Sequence, residues 1–213
     1  ILLEFTGESL LEDKINEAAA RGIPVVTMLN DAPTSSRKSY VGINSYQLGQ
    51  EYGNQIIKIL PKESRKMRVM MFLHDNSSDS SQSQIFNQIN NRMVTSSDTA
   101  NPIIVEEIKV PSGRAFESEE IVRNLFQNDQ GPPDIIICMD EVDTEAVYQA
   151  VIDYNSVGKT QVIGYYKSKA TLDAVLKGTM AMSLYIDTRQ MGIYSVQALT
   201  ESIHDGRTNS FNS

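Results

Sequence analysis

The stretch that most constrains this chain is residues 22–49. It reads Gly-Ile-Pro-Val-Val-Thr-Met-Leu-Asn-Asp-Ala-Pro and, after a polar gap, Tyr-Val-Gly-Ile-Asn-Ser-Tyr-Gln-Leu-Gly. The apolar, β-rich run Ile23–Leu29 is continuous, with no alternation of wet and dry positions. That pattern suits a parallel strand buried on both faces. Pro24 stands near its start, where a missing N–H removes no ladder bond. The run stops at the turn cluster Asn30-Asp31-Ala32-Pro33. Open parallel sheets bind ligands just beyond the carboxyl ends of their strands, so Asn30 and Asp31 stand where polar recognition is expected. A second short strand, Tyr40–Ile43, leads into Asn44-Ser45, and either residue can cap the helix that opens at Tyr46.

The rest of the chain repeats this alternation. Strands are expected at Ile1–Phe5, Arg68–Leu73, Ile103–Val110, Ile135–Met139, Gln161–Tyr165 and Met180–Ile186. Helices are expected at Leu10–Ala20, Leu48–Leu60, Gln84–Met93, Glu119–Phe126, Thr144–Tyr154, Ala170–Leu176 and Met191–Ile203, each from a 3.6-residue apolar stripe. Gly22, Pro61, Gly178 and Gly206 close helices. Strand–helix alternation specifies an α/β protein with parallel sheets flanked by helices. The serine-rich segment from His74 to Ser81 and the tail Asn209–Ser213 are the only biased stretches. The serine-rich segment reads equally as a solvated linker or a ligand-facing loop.

Composition excludes several classes. Of 213 residues, 40% are hydrophobic and 22% charged, as in an ordinary globular protein. A net charge of −8 argues against a nucleic-acid surface. No apolar run reaches the ~18–20 residues of a membrane-spanning helix. The chain starts on Ile1, which we read as a piece of a longer protein, so the lack of a leader carries little weight. The single cysteine, Cys138, permits no internal disulfide and reads as a small buried hydrophobe.

No catalytic set emerges. His74 and His204 are far apart, and His74, at a strand end, reads as a polar loop residue that could face a cleft. One cysteine and no local His/Asp/Glu cluster make a zinc site improbable, and no cofactor or metal is expected. Asp140, Glu141, Asp143 and Glu145 follow a strand, and Asp143 is a plausible N-cap for a helix from Thr144. Neither G-x-x-x-x-G-K-[ST] nor G-x-G-x-x-G is present.

The stretches AAARGIPVVTMLNDAP…YVGINSYQLGQEYG, DIIICMDEVDTEAVYQAV, TQVIGYY and LKGTMAMSLYIDTRQMGIYSVQAL resemble, in order, the periplasmic-binding-protein-like family, type I. That family includes sugar-binding proteins of ABC importers and effector domains of lac-repressor-type regulators. The resemblance implies a two-lobed fold, with residues 1–43 and 187–213 forming an incomplete N-terminal lobe and residues 44–186 a C-terminal lobe. Two βα units would precede Ile1 and a strand would follow Ser213. Ile1–Phe5 and Leu11–Ala20 should then be only partly covered, with Leu2, Ile15 and Val26 as the markers.

Carried over by alignment, the ligand-binding positions fall on Leu29, Asn30, Gln82, Phe116, Asp140, Tyr166 and Ile186. Phe116 keeps the family's aromatic. Leu29, Gln82, Tyr166 and Ile186 replace charged or polar sugar clamps, and Asp140 stands where an Asn is usual. Adjacent strand residues face opposite ways, so Tyr166 is expected in the cleft and Tyr165 in the core. The resemblance implies a non-enzymatic, extracytoplasmic solute-binding protein, in the periplasm or as a surface lipoprotein. Its ligand would be small, neutral and sugar-like, and its partner an ABC importer permease or a membrane sensor. The alternative is a cytoplasmic effector-binding domain of a lac-repressor-type regulator, and an enzyme on a similar doubly wound fold is a further rival. LKGTMAMSLYIDTRQMG is closer to the importer branch.

Overall fold

The computed structural model describes residues 1–213 apart from residues 7, 75–79, 98–100, 112–114, 205–210 and 213. The core of the serine-rich segment and Gly206 therefore lie outside the described residues. Nine strands and seven helices alternate among those described. The order is β1 (Leu2–Glu4), α1 (Ser9–Ala20), β2 (Val26–Leu29), β3 (Ser39–Gly42), α2 (Ser45–Ile59), β4 (Met67–His74), α3 (Ser80–Ser96) and β5 (Ile103–Val110). It continues with α4 (Ala115–Gln127), β6 (Ile135–Ile137), α5 (Glu141–Asp153), β7 (Gln161–Tyr165), α6 (Lys169–Leu176), β8 (Met182–Leu184), α7 (Thr188–His204) and β9 (Phe211–Asn212).

The strands form two separate parallel sheets, β1-β2-β3-β9 and β5-β4-β6-β7-β8. The chain divides accordingly into two compact units. The smaller is built from Ile1–Asn44 and Ile186–Ser213, and the larger from the elements between Ser45 and Tyr185.

In the larger unit the central strands are apolar on both faces. Val69, Met71 and Leu73 of β4 and Ile135 and Ile137 of β6 face a core shared with Tyr52 and Ile56 of α2 and Ile85, Ile89 and Met93 of α3. Met70, Phe72, Ile136 and Cys138 face the opposite core, with Val122, Leu125 and Phe126 of α4 and Val147 and Val151 of α5. This period-2 sorting onto two cores is why these strands read as unbroken apolar runs. Close packing of α2 on α3 is set by Gly49 and Gly53, spaced four apart on one helix face.

In the smaller unit, α1 covers one face through Ile15, packed with Phe5, Val25 and Ala32. Helix α7 covers the other through Met191 and Ala198 against Val26 and Val41. Of the three coverage markers, Leu2 is 37% exposed on the edge strand β1, whereas Ile15 and Val26 are buried. Those two departures have a simple cause: α1 and α7 supply enough cover from within the chain. Gly22, at φ +74°, follows the C-cap Arg21 of α1, a backbone region that favours glycine.

Most element ends differ from the sequence reading by a few residues, and three of the differences bear on the sheets and the site. Strand β2 starts at Val26, where its pairing with Leu2 begins, and Pro24 joins the N-terminus only through its carbonyl, which accepts from the Ile1 amine at 2.7 Å. Helix α5 starts at Glu141, since its N-cap is Asp140 and not Asp143. Phe211–Asn212, read as biased tail, pairs with β3 as β9.

Candidate functional site

The larger sheet changes its winding direction at β4. Strand β5 lies on one side of β4, and β6 and its successors on the other. A crevice opens beyond the carboxyl ends of the strands at such a point, and ligands of doubly wound sheets bind there. In this chain that position holds His74, the last residue of β4, and Asp140, just after β6.

Each side chain here is held by a nameable contact. Asp140 adopts extended backbone at φ −148°, ψ 178°, and its Oδ1 accepts the Asp143 N–H at 2.8 Å. This is an N-cap bond. The other oxygen, Oδ2, lies 3.1 Å from His74 Nε2. Asp143 is fully buried; its Oδ1 accepts from Ser118 Oγ at 2.9 Å, and its Oδ2 lies 3.0 Å from the same Nε2. The His74 side chain is 8% exposed, and its backbone N–H donates to Gln82 Oε1 at 2.9 Å. The imidazole nitrogen and one oxygen from each carboxylate all lie within 4.8 Å of one another. Asp143 Oδ2 accepts no hydrogen bond: the imidazole is near enough for an ion pair but not aligned as a donor.

The electrostatics follow from this crowding. Burial pushes the Asp140 carboxyl above the usual carboxylate range and Asp143 adds to the shift, while the Asp143 N–H and His74 oppose it. The Cys138 thiol beneath is pushed well up by burial and then by Asp143 and Asp140. Burial also raises the Tyr165 phenol. Thr144 Oγ1 ties α5 to β7, accepting the Tyr165 N–H at 2.9 Å and donating to the Asp140 carbonyl at 2.5 Å.

The expected site residues fall into two groups. In the larger unit, Gln82 and Asp140 meet around His74. Phe116, in the first turn of α4, is 71% exposed, and Tyr166, just after β7, is 42% exposed with φ +115°. Tyr165 is the half-buried member of the tyrosine pair. In the smaller unit, Leu29 ends β2 at φ +66° and, with Ile186, packs against the Val26–Val41 cluster. Asn30 Nδ2 donates to the Phe5 carbonyl at 3.1 Å. The neighbouring Asp31 is taken by Arg37 in a two-pronged ion pair. A groove of about 620 Å³ lies elsewhere, between α4 and α5, and none of the expected residues lines it.

Sequence reasoning saw His74 only as a strand-end polar residue that could face a cleft and Asp143 only as a helix cap, joined neither to Asp140, and did not reach Ser118. They come from three elements, so local spacing could not join them. The one local signal was Asp140-x-x-Asp143, the spacing of an N-cap to its N3 residue.

Residues 1–207 match the periplasmic binding protein domain, and the chain belongs to that family. No curated protein sequence matches the chain. Among solved structures, GanP, a glucose-galactose binding protein from Geobacillus stearothermophilus, aligns with TM-score 0.80 and 22% identity over 100% of this chain and 73% of its own. The sugar-binding protein of a sugar ABC transporter from Bacillus halodurans gives 0.80 and 24% over 97% and 67%. XylFII in its complex with LytSN gives 0.77 and 22% over 100% and 74%. At these identities the likeness is one of fold. The family is one of solute-binding proteins that work outside the cytoplasm. Among the described residues no helix is long and apolar enough to cross a membrane.

Proposed function

We propose that this protein is an extracytoplasmic solute-binding protein that captures a small, neutral, sugar-like ligand at the carboxyl ends of its strands. The observation that carries the reading is the trio of Asp140, Phe116 and Tyr166 on one end of the larger sheet. Phe116 and Tyr166 offer exposed aromatic faces. Such faces suit the C–H face of a sugar ring. Asp140 keeps one oxygen, on a side chain 34% exposed, for donors beyond its cap bond. A vicinal diol supplies such donors. Gln82 adds a neutral amide beside His74, and Leu29, Asn30 and Ile186 are the uncharged positions that the family resemblance assigns in the smaller unit. Residues 1–43 and 187–213 act in this reading as part of an N-terminal lobe and 44–186 as the C-terminal lobe. The loaded form is offered to an ABC importer permease or a membrane sensor. The likeness to GanP and the Bacillus halodurans protein favours the importer; the XylFII–LytSN complex is the precedent for a sensor.

The test is titration calorimetry of the intact protein against pentoses, hexoses and polyols, with glucuronate and a hexose phosphate alongside. Saturable binding of a neutral sugar or polyol is expected. Tighter binding of either anion would overturn the neutral-ligand reading. Failure of every compound would overturn sugar-like capture altogether.

A further inference from the structure

The His74–Asp140–Asp143 cluster has a property that capture of a neutral ligand, which draws on Asp140 alone of the three, leaves unexplained. Three donor atoms converge, and each carboxylate is anchored through its other oxygen. Asp140 Oδ1 is fixed by the Asp143 N–H and Asp143 Oδ1 by the Ser118 hydroxyl, so both Oδ2 atoms are turned to His74 Nε2. Asp143 Oδ2 is the decisive atom. It belongs to a fully buried side chain and accepts no hydrogen bond. A buried carboxylate oxygen left so is costly unless a cation or donor meets it. The cluster also spans three separately anchored elements: β4 through His74, the cap of α5 through both aspartates, and α4 through Ser118. It is not a run of acids on one loop.

We propose that His74 Nε2, Asp140 Oδ2 and Asp143 Oδ2 hold one divalent transition-metal ion, Zn²⁺ or Mn²⁺ in type. Nitrogen with two carboxylate oxygens is a borderline donor set, suited to those ions more than to the oxygen-seeking Ca²⁺ or Mg²⁺. The spacing fits. Metal–ligand bonds of about 2.0–2.1 Å at angles of about 90–110° put neighbouring donors about 2.9–3.4 Å apart. The two nitrogen–oxygen edges here are 3.0 and 3.1 Å. Ser118 is the outer partner that sets the Asp143 carboxylate, as second-shell donors do at metal sites. Asp140, the more exposed of the two acids, stands on the side where solvent or a solute hydroxyl completes the coordination. The inference does not rest on sugar capture, since metal uptake is measured without any sugar.

The experiment is calorimetric titration of the tag-free protein with ZnCl₂ and, separately, MnCl₂, paired with thermal melts. Wild type is expected to take up one ion saturably and to melt higher with metal. His204→Ala, which removes the only other histidine, should behave as wild type. His74→Asn and Asp143→Asn should each weaken uptake at least tenfold and abolish the thermal shift. Ser118→Ala should weaken it about 10–100-fold while leaving the three donors in place. Co²⁺ provides a readout if a variant fails to fold: the visible band of the wild-type Co²⁺ form should disappear when Zn²⁺ is added. No saturable uptake at millimolar Zn²⁺ or Mn²⁺, or equal uptake by a folded His74→Asn variant, would overturn the proposal. The trio would then be a closed internal ion pair.

Discussion

The same substitution, glycine to alanine in the middle of a helix, should have opposite effects at two positions. At Gly192 in α7, a Cβ would meet nothing within 4 Å. The change should stabilise by about 1 kcal/mol, the difference in helix propensity. At Gly49 in α2, a Cβ would lie 2.6 Å from Gln88 Cβ, 2.9 Å from the Ile85 carbonyl oxygen and 3.1 Å from Ile85 Cα. Two of those atoms are backbone, so no rotamer change clears them, and α2 and α3 must part by about 1 Å to restore contact distances near 3.5–4.0 Å. Overpacking of this kind costs about 1–3 kcal/mol. Against the propensity gain, Gly49→Ala should lose about 1 kcal/mol net. The two variants should then differ by about 2 kcal/mol, or about 4–8 °C in Tm for a chain of this size. Melts followed by far-UV circular dichroism suit a protein with no tryptophan. If α2 and α7 belong to separately melting units, each variant shifts its own transition. The strain also reaches the candidate site, because Ile85 is one turn from Gln82, which holds the His74 N–H. A Gly49→Ala variant as stable as Gly192→Ala would refute the close-packing argument.

Two further predictions are simpler. Asp140→Ala should weaken ligand binding by about 1.5–3 kcal/mol, the range for a charged hydrogen bond, and lower stability by about 1 kcal/mol through the lost cap. Asp140→Asn should keep the cap, so calorimetry and urea denaturation of the pair separate the two effects. Cys138 should be unreactive towards a disulfide reagent such as DTNB in the native protein and give one equivalent in urea, because the thiol is buried and its ionisation is disfavoured by burial and both aspartates. Rapid native reaction would show that the Cys138 core opens readily.

The fold was legible because each element advertised its own period. Five strands of the larger sheet and the helices between them are all local patterns, and they needed no knowledge of their partners. The winding reversal at β4 was not legible, since strand order is a property of the folded chain. With it went the cluster, for His74 stands 66 residues from Asp140 and joins it only because β6 pairs with β4. Asp143 was misread for a related reason. Both aspartates fit the start of a helix, and only the extended backbone of Asp140 decides which one caps. Strand β9 escaped because its two residues carry no period at all.

Backbone strain supplies an argument that no sequence pattern could. Among the described residues three non-glycine residues have positive φ: Leu29, Asn155 and Tyr166. Asn155 has a structural reason, since it follows the C-cap of α5, where asparagine commonly turns the chain. Leucine and tyrosine have no such affinity for that region, and each such residue costs about 1–3 kcal/mol unless its surroundings over-determine it. Here the surroundings do. The Leu29 carbonyl accepts from the Tyr40 hydroxyl at 2.8 Å, and the Tyr40 ring has room only because Gly42 lacks a Cβ, which would lie 1.9 Å from that hydroxyl oxygen. The Tyr166 carbonyl accepts from Ser183 Oγ at 2.7 Å and Thr171 Oγ1 at 3.2 Å, while its N–H donates to the Leu184 carbonyl at 2.8 Å. Both residues stand at carboxyl ends of parallel strands, and both coincide with positions that the family resemblance gives to the ligand. Leu29 also packs against the Val26–Val41 cluster, which accounts for part of its conformation, whereas the exposed Tyr166 is strained without a core to fill. Strain held by dedicated hydrogen bonds at a strand end is what a preorganised binding position looks like, and it favours Tyr166 over Leu29 for ligand capture.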